Sequence, residues 1–442
     1  MTEPTLSFQF TTAQTTSVLG MKYLTINGER KIIPPFPHHK EYVYRCYRFF
    51  KAKNLYSFLT IPGHYKFVRE IWMQKKHKVA IPRDLLIDPT SDCNLKCKGC
   101  WAADYEKHSN ISYDKLDSIF TEAAELGVMD ILMSGGEPLM RKDDIVTLAA
   151  KHRNLTFSMF TNGTLVDEAF ADKLVELGNL NLFISIEGYR EDTDFRRGKG
   201  TYDKVIKAMD LLKARDIGFG FSACYHSRNY KVICSDEFIG FMREKGAWFA
   251  WLFNYLPIGS DADTSLCCTA EQRAYVMKKT DEYYKKHDFL LIDFANSGHK
   301  SIGCVAAGND FLHINANGDV EPCAFCHYSD TNINDKTFLE ALNSPFLKTF
   351  RNKKPFSQNF LTPCPMMDLP EEIVKLTSDK SVISTHLANP ESGEELAKKT
   401  RHLAKNWQPV AEKIYAGLPK AEKRRFGILN WLLHAGDKYK YR

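Results

Sequence analysis

The sequence predicts an α/β fold, a parallel sheet covered by helices, and three observations carry that prediction. From about residue 83 to 289, apolar strand-like runs alternate with amphipathic helix-like runs, the period switching between those of strand and helix. The alternation repeats through six consecutive βα units, an order that builds either a doubly wound sheet or one curled as an incomplete barrel. The chain has 442 residues, 44% hydrophobic and 26% charged, which are globular values that exclude wholesale disorder, a collagen-like fibre and a coiled coil. Such a length buries a large core and leaves room for accessory segments.

Residues 1–82 read as an N-terminal cap. A strand pair surrounds Ile26-Asn27-Gly28-Glu29, where Asn-Gly favours a tight hairpin turn, and aromatic-rich helices follow at about 40–58 and 63–77. In the central unit, 83–290, strands are expected at 85–89, 130–134, 156–161, 182–186, 218–223 and 250–255. Helices are expected near 112–126, 143–151, 167–177, 201–214, 235–245 and 270–287. Sites in such sheets lie at the carboxyl ends of the strands. Past residue 290 the alternation is expected to stop. Residues 291–370 hold a hairpin at 312–320 with its turn at Asn317-Gly318, bracketed by cysteines. Residues 371–442 read as a helical tail whose end sets Trp431 and Leu432 beside Lys423, Arg424 and Arg425.

No run of some 20 apolar residues occurs, and Met1-Thr2-Glu3-Pro4 lacks a secretory pattern, so the expectation is a soluble, cytoplasmic protein. The formal net charge is +6. It hides a polarity: residues 1–82 and 401–442 together carry +16, and the stretch between them −10. Any anionic partner would meet the ends. Solvated basic faces are the plain reading; docking of the flanks on an anionic membrane surface is the alternative.

Twelve cysteines in a reducing compartment point to metal binding rather than disulfides. Cys93, Cys97 and Cys100 lie on the loop directly after the first strand of the central unit. Three thiolates leave one coordination position open, which suits a 4Fe-4S cluster with one free iron or a zinc ion with one other ligand. Cys304, Cys323, Cys326 and Cys364 form a later set; Cys46, Cys224, Cys234, Cys267 and Cys268 remain.

The C-x3-C-x2-C spacing at Cys93, Cys97 and Cys100 resembles the radical S-adenosylmethionine (radical SAM) superfamily, and three further segments strengthen the resemblance. Ser134-Gly135-Gly136-Glu137-Pro138, at the end of the second strand, is similar to the glycine-rich motif that meets the methionine ammonium. Thr161 and Asn162, after the third strand, and Ser185 with Glu187, after the fourth, are similar to segments lining the cofactor site. There the hydroxyl and carboxylate would bond the ribose. Asp194-Phe195-Arg196-Arg197-Gly198 resembles a stretch whose arginine meets the cofactor carboxylate, Arg197 being favoured by register. Gly99 stands where the superfamily commonly has an aromatic residue, with Trp101 just beyond Cys100; Pro257 and its neighbours after the sixth strand would supply part of the adenine wall. Cys224 ends the fifth strand as a candidate hydrogen donor, and Tyr225, His226 and Tyr255 as candidate lining residues.

The segment from Cys304 through Gly318 to Cys323, Cys326 and Cys364 is similar to SPASM and twitch extensions. Together the resemblances imply a partial (β/α)6 TIM-like barrel with a small auxiliary cluster domain, helical flanks and two 4Fe-4S clusters. They also imply reductive cleavage of S-adenosylmethionine to a 5′-deoxyadenosyl radical that takes hydrogen from a substrate, with the auxiliary cluster in electron transfer. A low-potential donor such as flavodoxin or ferredoxin is the implied partner. A peptide or protein is the favoured substrate, a lipid or small metabolite the alternative. A non-enzymatic zinc or iron-sulfur protein that binds nucleic acid is the competing class, and nucleic acid is the disfavoured partner.

Overall fold

The computed structural model describes residues 16–18, 21–26, 29–33 and, from 61 to 419, all but 104–107, 129, 260–261, 287–288, 302 and 309. The N-terminal strands β1 (Thr16–Val18), β2 (Met21–Ile26) and β3 (Glu29–Ile33) pair antiparallel. Ile26 opposes Glu29 across the turn, the register Asn-Gly favours. The second expected cap helix is Ile61–His77. The first, at 40–58, lies outside the described residues, as do Cys46 and the Trp431-containing tail.

The six expected central strands are β4 (Asp84–Ile87), β5 (Asp130–Met133), β6 (Thr156–Thr161), β7 (Leu180–Ser185), β8 (Phe219–Tyr225) and β9 (Ala247–Asn254). They lie side by side in chain order and all run parallel. The crossover helices begin and end where local chemistry dictates. Ser112, Asp167 and Ser235 cap helix N-termini through their side chains, and Gly127 and Gly178 end helices in left-handed conformations.

The alternation does not stop at 290. A seventh parallel strand, β10 (Leu290–Asp293), pairs with β9. On the other edge the first strand of the expected hairpin, β11 (Phe311–Ile314), runs parallel to β4, and β12 (Val320–Glu321) turns back against it at Gly318. The hairpin is therefore part of the main sheet. A small pair, β13 (Tyr328–Ser329) with β14 (Ile383–Ser384), ties the later region to the tail. The tail helix Gly393–Gly417 starts with a capping box at Ser392 and Glu395. It packs through Leu396, Thr400, Ala404 and Trp407, a 3–4 spacing that puts them on one face.

Two apolar layers flank the sheet. The larger, between sheet and helices, includes Ile87, Ile131, Met159 and Ile184. The smaller lies inside the curve, where Leu86, Leu132, Phe183 and Ala324 meet Phe249, Trp251 and Phe311. Rings from β9 and β11, at opposite sides of the sheet, touch the same cluster, so the sheet is curled. A Cβ on Gly220 would sit 2.7 Å from the Phe249 ring and 2.8 Å from Phe183; the interior is closed too tightly there for any side chain. Burying each large apolar residue in this layer is worth about 1.5–3 kcal/mol.

Candidate active site

A cleft at the carboxyl ends of the strands spans about 1250 Å³ of empty space, the open solvent at its mouth included. Cys93, Cys97 and Cys100 line it, and so does Cys323 from the later set.

The loop after β4 is held in place by its neighbours in the sheet. Ser134 donates to Asp88 at 3.0 Å. The amides of Gly136 and Glu137 donate to the carbonyls of Thr90 and Asp92 at 3.0 and 2.8 Å. A Cβ on Gly135 would lie 2.5 Å from the Thr90 carbonyl oxygen, and one on Gly136 2.1 Å from that of Asp92. The glycines thus serve a need the sequence reading did not identify: they let the turn after β5 close onto the backbone that leads into the cysteine loop. Glu137 is buried, its carboxylate accepting from Thr161 Oγ1 at 2.5 Å, the Asn162 amide at 2.7 Å and the Leu139 amide at 3.1 Å. Asn162 in turn donates to Asn94, between the first two cysteines, at 2.8 Å. Burial raises the Glu137 pKa against these hydrogen bonds.

The opposite side of the loop is clamped by helix Arg190–Arg197, which the sequence reading did not anticipate because it is almost wholly polar. The Lys98 amide donates to the Arg196 carbonyl at 2.8 Å. Arg196 and Arg197 both pair with Oε1 of Glu187, at 2.7 and 2.6 Å. The Cys224 amide donates to Oε2 at 2.9 Å. Glu187 is fully buried. Although burial opposes its charge, the two guanidiniums hold its pKa below the usual value. Glu187 sits behind the cleft wall, its oxygens bonded to Arg196, Arg197 and the Cys224 amide, and Arg197 lines the cleft while paired with Glu187 alongside Arg196.

The other expected residues divide. Gly135, Gly136, Glu137, Thr161, Asn162, Ser185, Arg197 and Cys224 line the cleft; Pro138 and Pro257 do not. Ser185 and Ser222, opposite each other on β7 and β8, share a hydrogen bond of 3.1 Å. Burial pushes the Cys224 thiol up to about 11. Of the three candidate lining residues, Tyr255 is in the wall. Tyr225 is buried against Asp293 and Asn296, and His226 is buried as well.

The later cysteines converge as one group. Cys323 is buried and its thiol raised to about 12, chiefly by desolvation with Cys304 adding. Desolvation also raises Cys326 and Cys364, and other members of the set add to it. Such thiols keep their protons until a cation compensates the charge of the thiolates. Cys364 is anchored by Asp368, which pairs with Arg273 of helix Ala270–Lys286 at 2.6 Å. Trp101 joins the two cysteine regions. Its ring stacks on His327 at 5.9 Å and meets Phe325 edge-on at 5.7 Å, one on each side of Cys326.

A curled parallel sheet, a three-cysteine loop beside a glycine turn, and Cys323 of the later set in the same cleft define an α/β protein with a cysteine-lined site. The family comparison is more specific. The model of the radical SAM superfamily matches residues 87–230, and that of the SPASM iron-sulfur cluster-binding domain residues 304–365. The chain thus carries a radical SAM domain and a SPASM domain, which imply S-adenosylmethionine and 4Fe-4S clusters as cofactors. It is 35% identical over 149 residues to the Fe-coproporphyrin III synthase of Methanosarcina barkeri, covering 33% of this chain and 37% of that one. Over 294 residues it is 26% identical to the PqqA peptide cyclase of Gluconobacter oxydans, covering 61% and 79%. Streptococcus suis SuiB bound to S-adenosylmethionine has a similar fold, with TM-score 0.56, 19% identity and coverage of 73% and 81%. The chain spans less than half the length of the curated relatives it matches at 34–35% identity.

Proposed function

We propose that Cys93, Cys97 and Cys100 hold a 4Fe-4S cluster with one iron open to S-adenosylmethionine, and that Cys304, Cys323, Cys326 and Cys364 hold a second. The observation that carries this is the shared cleft: three thiols of the first set and Cys323 of the second line it. The donor sets suit the clusters. A lone zinc ion needs thiolates about 2.3 Å from one point, and among the described residues no three His, Cys, Asp or Glu side chains are placed to hold one ion. Cysteines that nonetheless shift one another's pKa values suit a polynuclear cluster, whose irons take their ligands further apart.

When bound, the first cluster supplies the electron that cleaves S-adenosylmethionine reductively, giving the 5′-deoxyadenosyl radical that takes hydrogen from a substrate. The chain's own residues do the positioning. The Gly135-Gly136 turn and the Thr161, Asn162 and Ser185 strand ends line the part of the cleft where a zwitterionic nucleoside would sit. The Arg196–Arg197–Glu187 group fixes the wall behind them, and Pro138 and Pro257 shape the turns from outside the cleft. Cys224, protonated at neutral pH, holds an S–H hydrogen at the cleft wall and is a candidate donor. Four protein ligands leave the second cluster no open iron, which favours electron transfer over substrate ligation.

The division into a cap (1–82), a barrel (83–290), an auxiliary cluster region (291–370) and a tail (371–442) follows these roles, with β11 and β12 bridging barrel and cluster region. A peptide or protein is the favoured substrate, supported by the peptide cyclase among the relatives. The synthase named for a coproporphyrin keeps small molecules as the second reading, with lipid after it. The electron would come from flavodoxin or ferredoxin. No helix among the described residues is long and apolar enough to cross a membrane. The test is anaerobic reconstitution followed by dithionite and S-adenosylmethionine. A brown protein with about eight irons that forms 5′-deoxyadenosine is expected. A colourless protein that leaves S-adenosylmethionine intact would return the zinc, nucleic-acid-binding class to first place.

A further inference from the structure

The inner half of the cleft is built of rings. Phe160 at the end of β6 lies 5.4 Å from Trp251 and 5.8 Å from Phe253 on β9. Phe253 continues to Phe294, after β10, at 5.6 Å and to Phe325, between Cys323 and Cys326, at 6.1 Å. Trp101 extends the belt from Phe325. All six line the cleft.

Charge is scarce there. Among the described lining residues the carboxylates and guanidiniums are those of Glu137, Arg196 and Arg197. Each is already engaged, Glu137 by Thr161, Asn162 and Leu139, the arginines by Glu187. The belt itself therefore offers ring faces and edges and no charged side chain. Asn254 also borders the cleft and is 6% exposed; it follows Phe253 on β9, so its side chain leaves the opposite face of the strand. Its side-chain nitrogen donates to the Met367 sulfur at 3.0 Å, and its side-chain oxygen has no hydrogen-bond partner among the described residues.

We propose that the part of the substrate entering this site is an uncharged aromatic ring, of indole or phenol type, seated among the rings of this belt. Offset-stacked and edge-on ring contacts add to plain area burial, so a flat ring gains there what an alkyl chain of equal size does not. An ionic group would lose its hydration with no partner to replace it. The inference rests on the cofactor reading for the chemistry that follows, but the binding claim can fail separately. An aromatic side chain of a peptide and a free aromatic molecule share this chemistry.

The test uses the full chain, reconstituted anaerobically and saturated with S-adenosylmethionine, with ligand-observed NMR and calorimetry as readouts. The probes are indole, N-acetyltryptophanamide, cyclohexanol and glutarate. Indole or N-acetyltryptophanamide is expected to bind at least fivefold more tightly than cyclohexanol, with glutarate silent. Phe253→Leu, or Phe294→Leu should the first variant fold poorly, is expected to weaken indole at least fivefold. Preference for the amide over indole assigns the ring to a peptide, and the reverse preference to a free molecule. Equal affinity for cyclohexanol, binding of glutarate, or displacement of indole by S-adenosylmethionine would overturn the inference. Aromatic binding without any 5′-deoxyadenosine formation would instead count against the radical reading.

Discussion

Tyr255 occupies the space that a side chain at position 99 would need: a Cβ built on Gly99 lies 2.2 Å from the Tyr255 hydroxyl. Gly99 also has φ +59. Only glycine leaves room there for the Tyr255 ring, which follows β9.

Gly99→Ala should therefore disturb the cysteine loop twice, through about 1–2 kcal/mol of left-handed strain and through the clash. Iron content is expected to fall from about eight to about four per chain, and 5′-deoxyadenosine formation to drop with it. Adding Tyr255→Ala should return part of the iron, since it removes the clash and leaves the strain. No recovery in the double variant would place the damage elsewhere.

The two cysteine sets should separate by function. Cys97→Ala is expected to abolish cleavage of S-adenosylmethionine, whereas Cys326→Ala should retain cleavage and block substrate turnover. Each should lose about four irons, read by iron assay and electron paramagnetic resonance. Equal loss of cleavage in both variants would refute the division of labour.

The Arg196–Glu187–Arg197 group is a buried ion cluster, with Glu187 and Arg196 side chains 0% and 5% exposed. Glu187→Gln leaves two guanidiniums without their counter-charge, which should cost about 3–5 kcal/mol in urea unfolding. Asp203→Ala, which breaks the exposed pair with Arg190, should leave the unfolding curve where it was, because water screens that pair.

His313 predicts a pH dependence. It is buried between two carboxylates, Nε2 3.0 Å from Asp88 and Nδ1 2.6 Å from Glu321. Burial alone would lower its pKa, but the carboxylates outweigh burial and raise it from 6.5 to about 10. A folded value above the unfolded one means that the stabilisation is complete below pH 6.5 and is lost as pH rises through about 10. The urea midpoint of the native protein should fall between pH 7 and 10, and His313→Gln should be less stable at pH 6 and show a shallower fall. An unchanged slope would assign the titration to another group.

The barrel strands and most of their helices were legible in sequence because each is a local pattern of apolar spacing with its own caps. Helix Arg190–Arg197 was not, since a segment with hardly an apolar residue has no periodicity to read. Strand Leu290–Asp293 follows the sixth βα unit, where the alternation was expected to stop. Glu187 is recognisable as a site residue, but its partners Arg196 and Arg197 come from that unread helix.

From its sequence alone this protein declared six βα units, a three-cysteine loop at a strand end and four later cysteines, all of which are matters of composition and spacing within short stretches. Only the tertiary structure decided that Cys323 of the later set shares a cleft with Cys93, Cys97 and Cys100, that Gly135 and Gly136 are packed on residues 90–92, and that rings from Phe160 to Phe325 form one belt. The physical reason is the curl of the sheet. Spacing along a chain says which residues share an element, whereas the curvature that brings distant elements together is set by the packing of Phe183, Gly220 and Phe249 inside it.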